Sequence, residues 1–297
     1  DLVFGHFENG QPVAAMAMYL RPAGQFTTTA EDVGKFLRFM MSEGTINGKS
    51  FINTAYLKAV GKQQATDAFR KGVPFGDAFG GYSRDRYGVV GIAKNGNILG
   101  FSAMIYMFPI QKKAFFIAFN MDSETANYDL FNELLVKHLN LAKVPFVSKE
   151  NNIEQDLVKW KGYYVPVITK VEPFGLLDVV FSYTKVEFSK TTALLSPFQG
   201  KRKTLIYQGN NQFSMKDRTN LSHVFYVNEN GDLLISDGLK TIKKMAGVKI
   251  FGITLSLLLG ITAIIYLFVQ SAIDLVRYQL NFINKPHFWV FIPLLFL

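Results

Sequence analysis

The sequence of 297 residues predicts an α+β fold, followed by a small all-β region and a membrane-spanning helix. Three patterns predict this order: an amphipathic helix pattern near the start, strand-like runs joined by short turns, and a late apolar run without a charge. We divide the chain accordingly into regions 1–145, 146–240 and 241–297. A chain of this length can bury more than one hydrophobic core.

Region 1–145 mixes helix and strand. Thr29 with an acid three residues later is typical of a helix N-cap, and apolar residues follow at helical spacing. Three strand-like runs follow, with short connections that predict an antiparallel meander, and a second helix is expected at 123–139. Helix, antiparallel strands and a final helix make an α+β unit. The strand-like runs are 87–93, 99–107 and 114–120, and 94–97 is one of the connections.

Region 146–240 consists of short strand-like runs, and Asn230-Gly231 is a strong hairpin-turn signal. Short strands at this spacing predict a small antiparallel barrel or sandwich. The longest of these runs is 178–188, and the others begin near 160, 204, 212, 223 and 232.

Region 241–297 is predicted to cross a membrane. Ile250 to Val269 carries no charge, and twenty residues at about 1.5 Å each span the hydrocarbon core of a bilayer. A second span, cut short by the end of the sequence, is expected from about residue 288. Three lysines precede the first span, and counting positive charges places the N-terminal side inside. Membrane lipid is therefore an expected partner.

Composition excludes several other classes of function. The formal charge is +9 at pH 7, but the lysines and arginines are scattered and no nucleic-acid-binding motif is present, so no nucleic-acid partner is expected. The absence of cysteine excludes a thiol nucleophile and disulfides. The four histidines lack metal-ligand spacing. Neither a metal nor a cofactor is predicted.

Four segments carry a resemblance to a known family. They are the run from Arg21 to Phe36 (RPAGQFTTTAEDVGKF), the glycine-rich Phe75–Tyr82, the run from Lys94 to Ser102 (KNGNILGFS), and Asn120 at a strand end. In order and spacing they resemble the serine β-lactamase family with class C-like architecture, which includes penicillin-binding proteins, D-alanyl-D-alanine peptidases and esterases. The resemblance covers about residues 10–140. It implies that region 1–145 is the C-terminal portion of such a domain. Region 146–240 resembles the lipocalin-like β domains often appended to these hydrolases.

The resemblance implies roles for four residues of the family's third conserved box. Lys94 would help to bind a substrate carboxylate, and Asn95 replaces the usual Thr or Ser and can still form hydrogen bonds. Gly96 would let the backbone approach the acyl group, and a backbone N–H near Asn97 would be one oxyanion donor. Taken alone, Lys-Asn-Gly-Asn equally fits a plain hairpin turn.

The nucleophile is not found at the family's position in this sequence. One Ser-x-x-Lys, Ser182 to Lys185, lies in a run that alternates like a strand, where residues i and i+3 point to opposite faces. It and the one Tyr-x-Asn, Tyr226 to Asn228, both follow Lys94, which reverses the family order. The nucleophilic serine is therefore expected upstream of Asp1, and the 297 residues alone are expected to be inactive.

The leading hypothesis is a membrane-anchored serine hydrolase that acts on a small-molecule or peptide substrate through an acyl-serine intermediate. The substrate would be a D-amino-acid peptide, a β-lactam or another ester. The resemblance implies the bacterial cytoplasmic membrane, with the hydrolase domain facing the periplasm or exterior, which conflicts with the charge count above. Two alternatives remain: a catalytically inactive, membrane-tethered binding or sensor protein, and a lipid- or ligand-carrying module in region 146–240.

Overall fold

The computed structural model describes residues 3–14, 26–63, 66–121, 123, 125–143, 151–167, 175–216 and 218–278. These residues form a five-stranded antiparallel sheet between helices, a closed barrel of eight strands, and a long apolar helix near the C-terminal end. The α+β class predicted from the sequence is confirmed.

The first part of the chain contains one amphipathic helix and several short strands and helices. The side chain of Thr29 accepts a hydrogen bond from the backbone N–H of Asp32 at 3.2 Å, as the sequence predicts for an N-cap. Glu31 and Asp32 place negative charge in the first turn, where it stabilises the helix dipole. The elements are β1 (Gly5–His6), β2 (Pro12–Val13), α1 (Ala30–Met41), β3 (Thr45–Ile46), β4 (Lys49–Ser50), α2 (Thr54–Ala59) and α3 (Asp67–Arg70).

The central sheet is an antiparallel meander in which each strand pairs with the next in sequence. A 3₁₀ turn, Pro109–Gln111, joins the fourth and fifth strands, and helix α4 (Tyr128–His138) follows the fifth. The strands are β5 (Gly76–Ala78), β6 (Gly81–Arg86), β7 (Val89–Ile98), β8 (Phe101–Phe108) and β9 (Lys113–Phe119).

The sheet packs a helix against each face, because successive side chains of a strand point to opposite sides. On one face, Ala93 and Tyr106 belong to the same buried cluster as Val136 of α4. On the other face, Met107 packs in a second cluster with Leu37 of α1. The sheet therefore lies between α1 and α4.

Helix α4 begins later than the predicted helix at 123–139. Thr125 donates its backbone N–H to the carboxylate of Glu8 at 3.0 Å, which holds this part of the chain outside the helix. The side chain of Asn127 then caps the first turn, and Tyr128 is the first helical residue. The competing side-chain contact and the asparagine cap explain the shift.

Residues 94–97 form part of strand β7, so the prediction of a connection there is wrong. The turn consists of Leu99 and Gly100, and Ile98 pairs with Phe101. Gly100 has a positive φ of 79°, which suits the second position of a tight turn. Turn-favouring residues at 94–97 are held extended by continuous pairing with β8, since pairing and packing decide a strand more than local propensity does.

The second unit is a closed barrel of eight antiparallel strands. Each strand pairs with the next, and the last pairs with the first, so the barrel has no free edge. Of the barrel and sandwich that the sequence allows, the structure has the barrel. The strands are β10 (Gly162–Pro166), β11 (Thr184–Phe188), β12 (Thr192–Pro197), β13 (Lys203–Gly209), β14 (Gln212–Ser214), β15 (Leu221–Val227), β16 (Leu233–Ser236) and β17 (Thr241–Met245).

Side chains fill the interior of the barrel. Trp160, at the end of the 3₁₀ helix Gln155–Trp160, is 1% exposed and packs 5.4 Å from Phe225, ring centre to ring centre. Phe213 and Phe225 stack at 4.3 Å in the same cluster. Eight-stranded barrels are just wide enough to be filled in this way. The lipid- or ligand-carrying alternative for region 146–240 therefore gains no support from the barrel.

Helix α6 (Gly247–Tyr278) follows β17 after a single residue. Its stretch Gly247–Ile273 has a mean hydropathy of 2.3, and only 6% of the most apolar 18 residues of this stretch are buried. The length and composition of this helix therefore suit a bilayer span. The second span predicted from about 288 lies outside the described residues. The division made from the sequence starts the membrane region at residue 241, yet β17, which begins at Thr241, belongs to the barrel. The division of the chain into three regions stays a proposal.

The strand predicted at 178–188 is in fact a helix and a strand. Helix α5 (Gly175–Phe181) comes first, and the N–H of Ser182 still donates to the carbonyl of Asp178 at 2.9 Å. Strand β11 then begins at Thr184. Alternating β-branched residues favour a strand, but α5 packs against β10 and α6, and these contacts override the local preference.

The sheet and the barrel are joined by polar contacts. The N–H of Asp77 in β5 donates to the carbonyl of Gly238 at 3.0 Å. The carboxylate of Asp85 in β6, which is 2% exposed, accepts hydrogen bonds from both the N–H and the hydroxyl of Thr219 and from the N–H of Asn220, at 2.7 to 3.0 Å. These contacts fix the barrel against one edge of the sheet.

Candidate functional site: the open edge of strand β7

The second half of β7 has a partner on one side only. Strand β6 pairs with β7 from Val89 to Ala93, whereas β8 pairs with it from Ile92 to Ile98. Among the described residues, the segment 94–98 therefore has an open edge towards the β6 side, and all five of its residues are exposed. We call this segment the open edge.

Hairpin geometry determines which backbone groups point outwards there. Hydrogen-bonded and non-bonded pairs alternate in an antiparallel ladder, and the pair that closes a two-residue turn is bonded. Ile98 closes the turn with Phe101, so Gly96 and Lys94 also bond to β8. Asn95 and Asn97 consequently direct their N–H and C=O groups to the open edge. An unpaired backbone N–H on a rigid strand can donate to a developing oxyanion.

The side chains of the predicted site residues divide between the two faces of the sheet. Lys94 and Gly96 lie on the α1 face, and a Cβ added to Gly96 would meet no atom within 4 Å. Asn95 and Asn97 lie on the α4 face, where the Asn97 Oδ1 accepts a hydrogen bond from Ser102 at 2.8 Å. The four residues thus share one strand, and the backbone groups of two of them face the same opening.

A polar cavity of about 360 Å³ lies on the α4 face beside the open edge. We call it the amide cleft, because asparagine side chains from β7 and α4 line it together with aromatic rings. Amide and hydroxyl groups of this kind can pair with the amides of a small peptide-like molecule. The lining includes Tyr82, Asn95, Asn97, Ser102, Asn127, Tyr128 and Asn132.

Sequence reasoning did not identify the structural use of Arg84-Asp85-Arg86. The segment lies in β6, and its two arginines reach Asp129 of α4 at 2.9 and 3.1 Å. Burial raises the pKa of Asp129, but the guanidinium groups of Arg86 and Arg84 outweigh it and hold the pKa below its usual value. The alternation of positive and negative charge in Arg84-Asp85-Arg86, which on a strand places both arginines on one face and the aspartate on the other, was the available signal.

The motifs that resemble the missing boxes do not assemble a nucleophile. Ser182 follows helix α5 and Lys185 lies in β11, where its amine pairs with Glu187 at 2.8 Å, so one helical turn does not bring Ser182 and Lys185 together. The strand argument for Ser182 was wrong in detail, because this serine lies at a helix end. Tyr226 packs in β15 against the α3 side, 3.4 Å from Asp67.

In the part of the chain that the structure describes, no three His, Asp or Glu side chains converge in a way that could hold a metal ion.

No protein-family model and no curated protein matches this chain. Among solved structures, the chain is similar to an octameric penicillin-binding protein homologue from Pyrococcus abyssi, at 14% identity and a TM-score of 0.32. The match covers 81% of this chain and 53% of the other, so the chain spans about half the length of that protein. A likeness this distant assigns neither family nor activity, and the function must be argued from the site.

Proposed function

We propose that this chain is part of a membrane-anchored serine hydrolase of the β-lactamase and penicillin-binding kind. Its substrate is a small amide or ester, and the open edge forms one wall of the acyl-transfer site. The nucleophilic serine is supplied by sequence upstream of Asp1, and α6 holds the protein in a bacterial cytoplasmic membrane with the hydrolase domain outside.

The observation that carries this proposal is the open edge itself. Acyl transfer needs N–H donors fixed where the oxyanion develops and space for the acyl group beside them. Asn97 and Asn95 supply outward backbone groups, and Gly96 leaves the strand surface clear on the α1 face. The exposed amine of Lys94 lies on that same face, where a cation would attract a substrate carboxylate.

Position on the sheet adds a second argument. The core of the sheet holds β7 rigid up to Ala93, which is completely buried, and the ladder with β8 continues this order to the turn. A donor on a strand keeps its geometry better than a donor on a loop. The amide cleft on the other face offers hydrogen-bonding groups to the rest of a peptide-like substrate.

The test uses the full-length protein in membranes, labelled with a fluorescent penicillin and separately with a fluorophosphonate. We expect labelling that is lost when the upstream serine is changed, and that Gly96→Val reduces at least tenfold. Valine suits a strand and has space at this position, so the protein should fold. Gly34→Ala in α1, also in open space, is the control that should leave labelling unchanged.

The alternative, an inactive membrane-tethered binding or sensor protein, predicts a different result. Folded full-length protein that neither probe labels would overturn the hydrolase proposal in its favour. Equal labelling of the wild type and Gly96→Val would instead refute the role of the open edge.

A further inference from the structure

The outer wall of the barrel carries a group of exposed apolar side chains. Leu176, Leu177 and Phe181 belong to helix α5, and Phe198 follows strand β12. These four side chains are between 37% and 61% exposed. We call them the apolar platform. Exposed apolar side chains that cluster indicate an interaction site, whereas single ones scattered over a surface do not.

A chain of aromatic contacts connects the apolar platform to the start of α6. The ring of Phe181 lies 6.4 Å from that of Phe198, centre to centre, and Phe198 lies 5.1 Å from Tyr183. Tyr183 lies 5.8 Å from Tyr163 of β10. The Tyr163 ring in turn contacts Gly247, the first residue of α6, where an added Cβ would lie 3.1 Å from the ring. Tyrosine and other aromatic side chains are enriched where a bilayer meets water.

The contact between α5 and α6 lies in the first three turns of the long helix. Helix α5 packs against both β10 and α6. Along α6, Ile250 is buried and Ile253, Thr254 and Leu257 are half-buried, at the spacing of one helix face, whereas all residues of 258–266 are exposed. Because the aromatic contacts place α5 near the helix start, this face of α6 is the one that α5 covers.

The position of this contact along α6 gives the depth of the apolar platform. The twenty uncharged residues from Ile250 to Val269 match the hydrocarbon core of a bilayer, about 30 Å thick, so the core begins near Ile250. The segment from Ile250 to Leu257 covers about the first 10 Å of it. A helix packed beside that segment lies at the boundary between headgroups and acyl chains, where interfacial helices bury their apolar side.

The charged groups at the start of α6 suit a headgroup layer. Lys249 is exposed in the first turn of α6, and the described residues give it no ion pair. The amine of Lys244, at the end of the barrel, donates to the carbonyl of Lys159, which is itself exposed. Lysine amines at this level can reach lipid phosphates. Asp178 is the one charged residue of α5, and the hydrated headgroup layer can accommodate it because it is half-buried.

We propose that the barrel rests on the bilayer that α6 spans, with the apolar platform inserted between the headgroups and the outer acyl chains. A bilayer fits this surface better than a protein partner does, because the apolar surface continues onto α6. Val248 and Phe251, in the first turns of α6, are 78% and 66% exposed. Lipid that surrounds these two residues also reaches α5. The inference rests on the membrane position of α6, which is part of the proposed function, but it does not depend on hydrolase activity.

The experiment measures the depth of single nitroxide labels in the whole chain, reconstituted in vesicles of phosphatidylcholine and phosphatidylglycerol. Because the sequence has no cysteine, each single-cysteine variant has one labelling site. Leu176→Cys labels the apolar platform, and Ile261→Cys labels α6 as the lipid reference. Ile110→Cys, in the turn between β8 and β9, is the matched water reference, since Ile110 is also apolar and is 90% exposed.

The readout is the ratio of collisions with oxygen, which concentrates among acyl chains, to collisions with a water-soluble nickel chelate. We expect this ratio to be about fivefold higher at position 176 than at position 110, and higher again at position 261. Unchanged fluorescence of the buried Trp160 would show that the barrel of each labelled variant is folded. Leu176 is 61% exposed, so its replacement removes little packing.

Three results would overturn the proposal, each for a different reason. A ratio at position 176 equal to that at position 110, with position 261 in lipid, would refute the apolar platform and leave the membrane span intact. Equal ratios at positions 261 and 110 would refute the anchor itself, and with it this part of the proposed function. Exclusion of both reagents from position 176, with spin–spin broadening between molecules, would show that a second copy of the chain covers the platform instead of lipid.

Discussion

The contact between the sheet and the barrel can be tested by adding one carbon atom to Gly238. This residue has a φ of +83°, and a Cβ there would lie 2.0 Å from the carbonyl oxygen of Phe75. A matched position exists in the same barrel: Gly231 has a φ of +79°, and its Cβ would meet nothing within 4 Å. Gly231→Ala therefore imposes the same backbone strain without the collision.

The expected costs follow from these two geometries. An alanine in the left-handed region costs about 1–2 kcal/mol, and both variants incur this cost. In Gly238→Ala, Phe75 must also move by about 1 Å to restore van der Waals contact, which breaks the hydrogen bond from Asp77 to Gly238. A backbone hydrogen bond contributes about 1 kcal/mol, and the displaced packing adds to it. We expect Gly238→Ala to lose about 1–3 kcal/mol more than Gly231→Ala.

The assay is urea unfolding of the whole chain in detergent, followed by Trp160 fluorescence in a Trp289→Phe background. The sequence has two tryptophans, so this background leaves Trp160 alone to report on the barrel. Limited proteolysis of each variant reports separately on the junction. If both glycine variants unfold with the same free energy and resist protease equally, the sheet and barrel are not held together at Gly238.

Three further predictions use the same unfolding assay or a simple activity measurement. Asp85→Ala should cost about 3–5 kcal/mol, since three donors and the charge of Arg218 lose a buried carboxylate; a loss below 1 kcal/mol would contradict this. Burial lowers the pKa of His223 to about 4, so the unfolding free energy should fall by up to about 3 kcal/mol as pH drops from 6.5 to 4. His223→Gln should remove that fall, and His138→Gln, at an exposed site, should retain it. The 297 residues alone should not hydrolyse a chromogenic ester; turnover abolished by Ser182→Ala would refute the assignment of the nucleophile elsewhere.

The sign of the His223 prediction follows from linkage. An unfolded histidine binds a proton below about pH 6.5, whereas the folded one, buried beside Ser222, does so only below about pH 4. Between these values the unfolded state holds more protons, so acid stabilises it relative to the folded state. The neighbouring carboxylate of Asp237 raises the pKa of His223, and Lys203 lowers it, both less than burial does.

The sequence predicts well those parts of the fold that depend on local chemistry. The N-cap at Thr29, the hairpin turn near Gly231 and the uncharged run from Ile250 are each decided by residues close to one another. Closure of the barrel could not be predicted, because it depends on β17 meeting β10 across nearly eighty residues. The hydrophobic periodicity of two short strands predicts that each is a strand, but it does not predict that they pair with each other.

The candidate site shows the same division. Residues 94–97 were selected from a resemblance to a family. Their chemistry depends on how β7 pairs with β8, and the sequence does not reveal this pairing because the same four residues favour a turn. The cavity of about 340 Å³ that lies where the sheet meets the barrel gave no signal in the sequence at all. Arg84 and Lys203 are more than a hundred positions apart, and only the docking of the barrel onto β6 brings their side chains to one cavity.

The open edge also has a consequence for the solubility of the protein. A strand with unpaired N–H and C=O groups can recruit a strand of a second molecule, which is a common route to aggregation. Here the exposed stretch is five residues long, and Lys94 and two asparagines replace the β-branched residues that favour such pairing. Replacing Lys94 with valine would remove the charge from the open edge and extend the uncharged run that ends at Ala93 by one β-branched residue. Such a variant should therefore self-associate at concentrations at which the wild type stays dispersed.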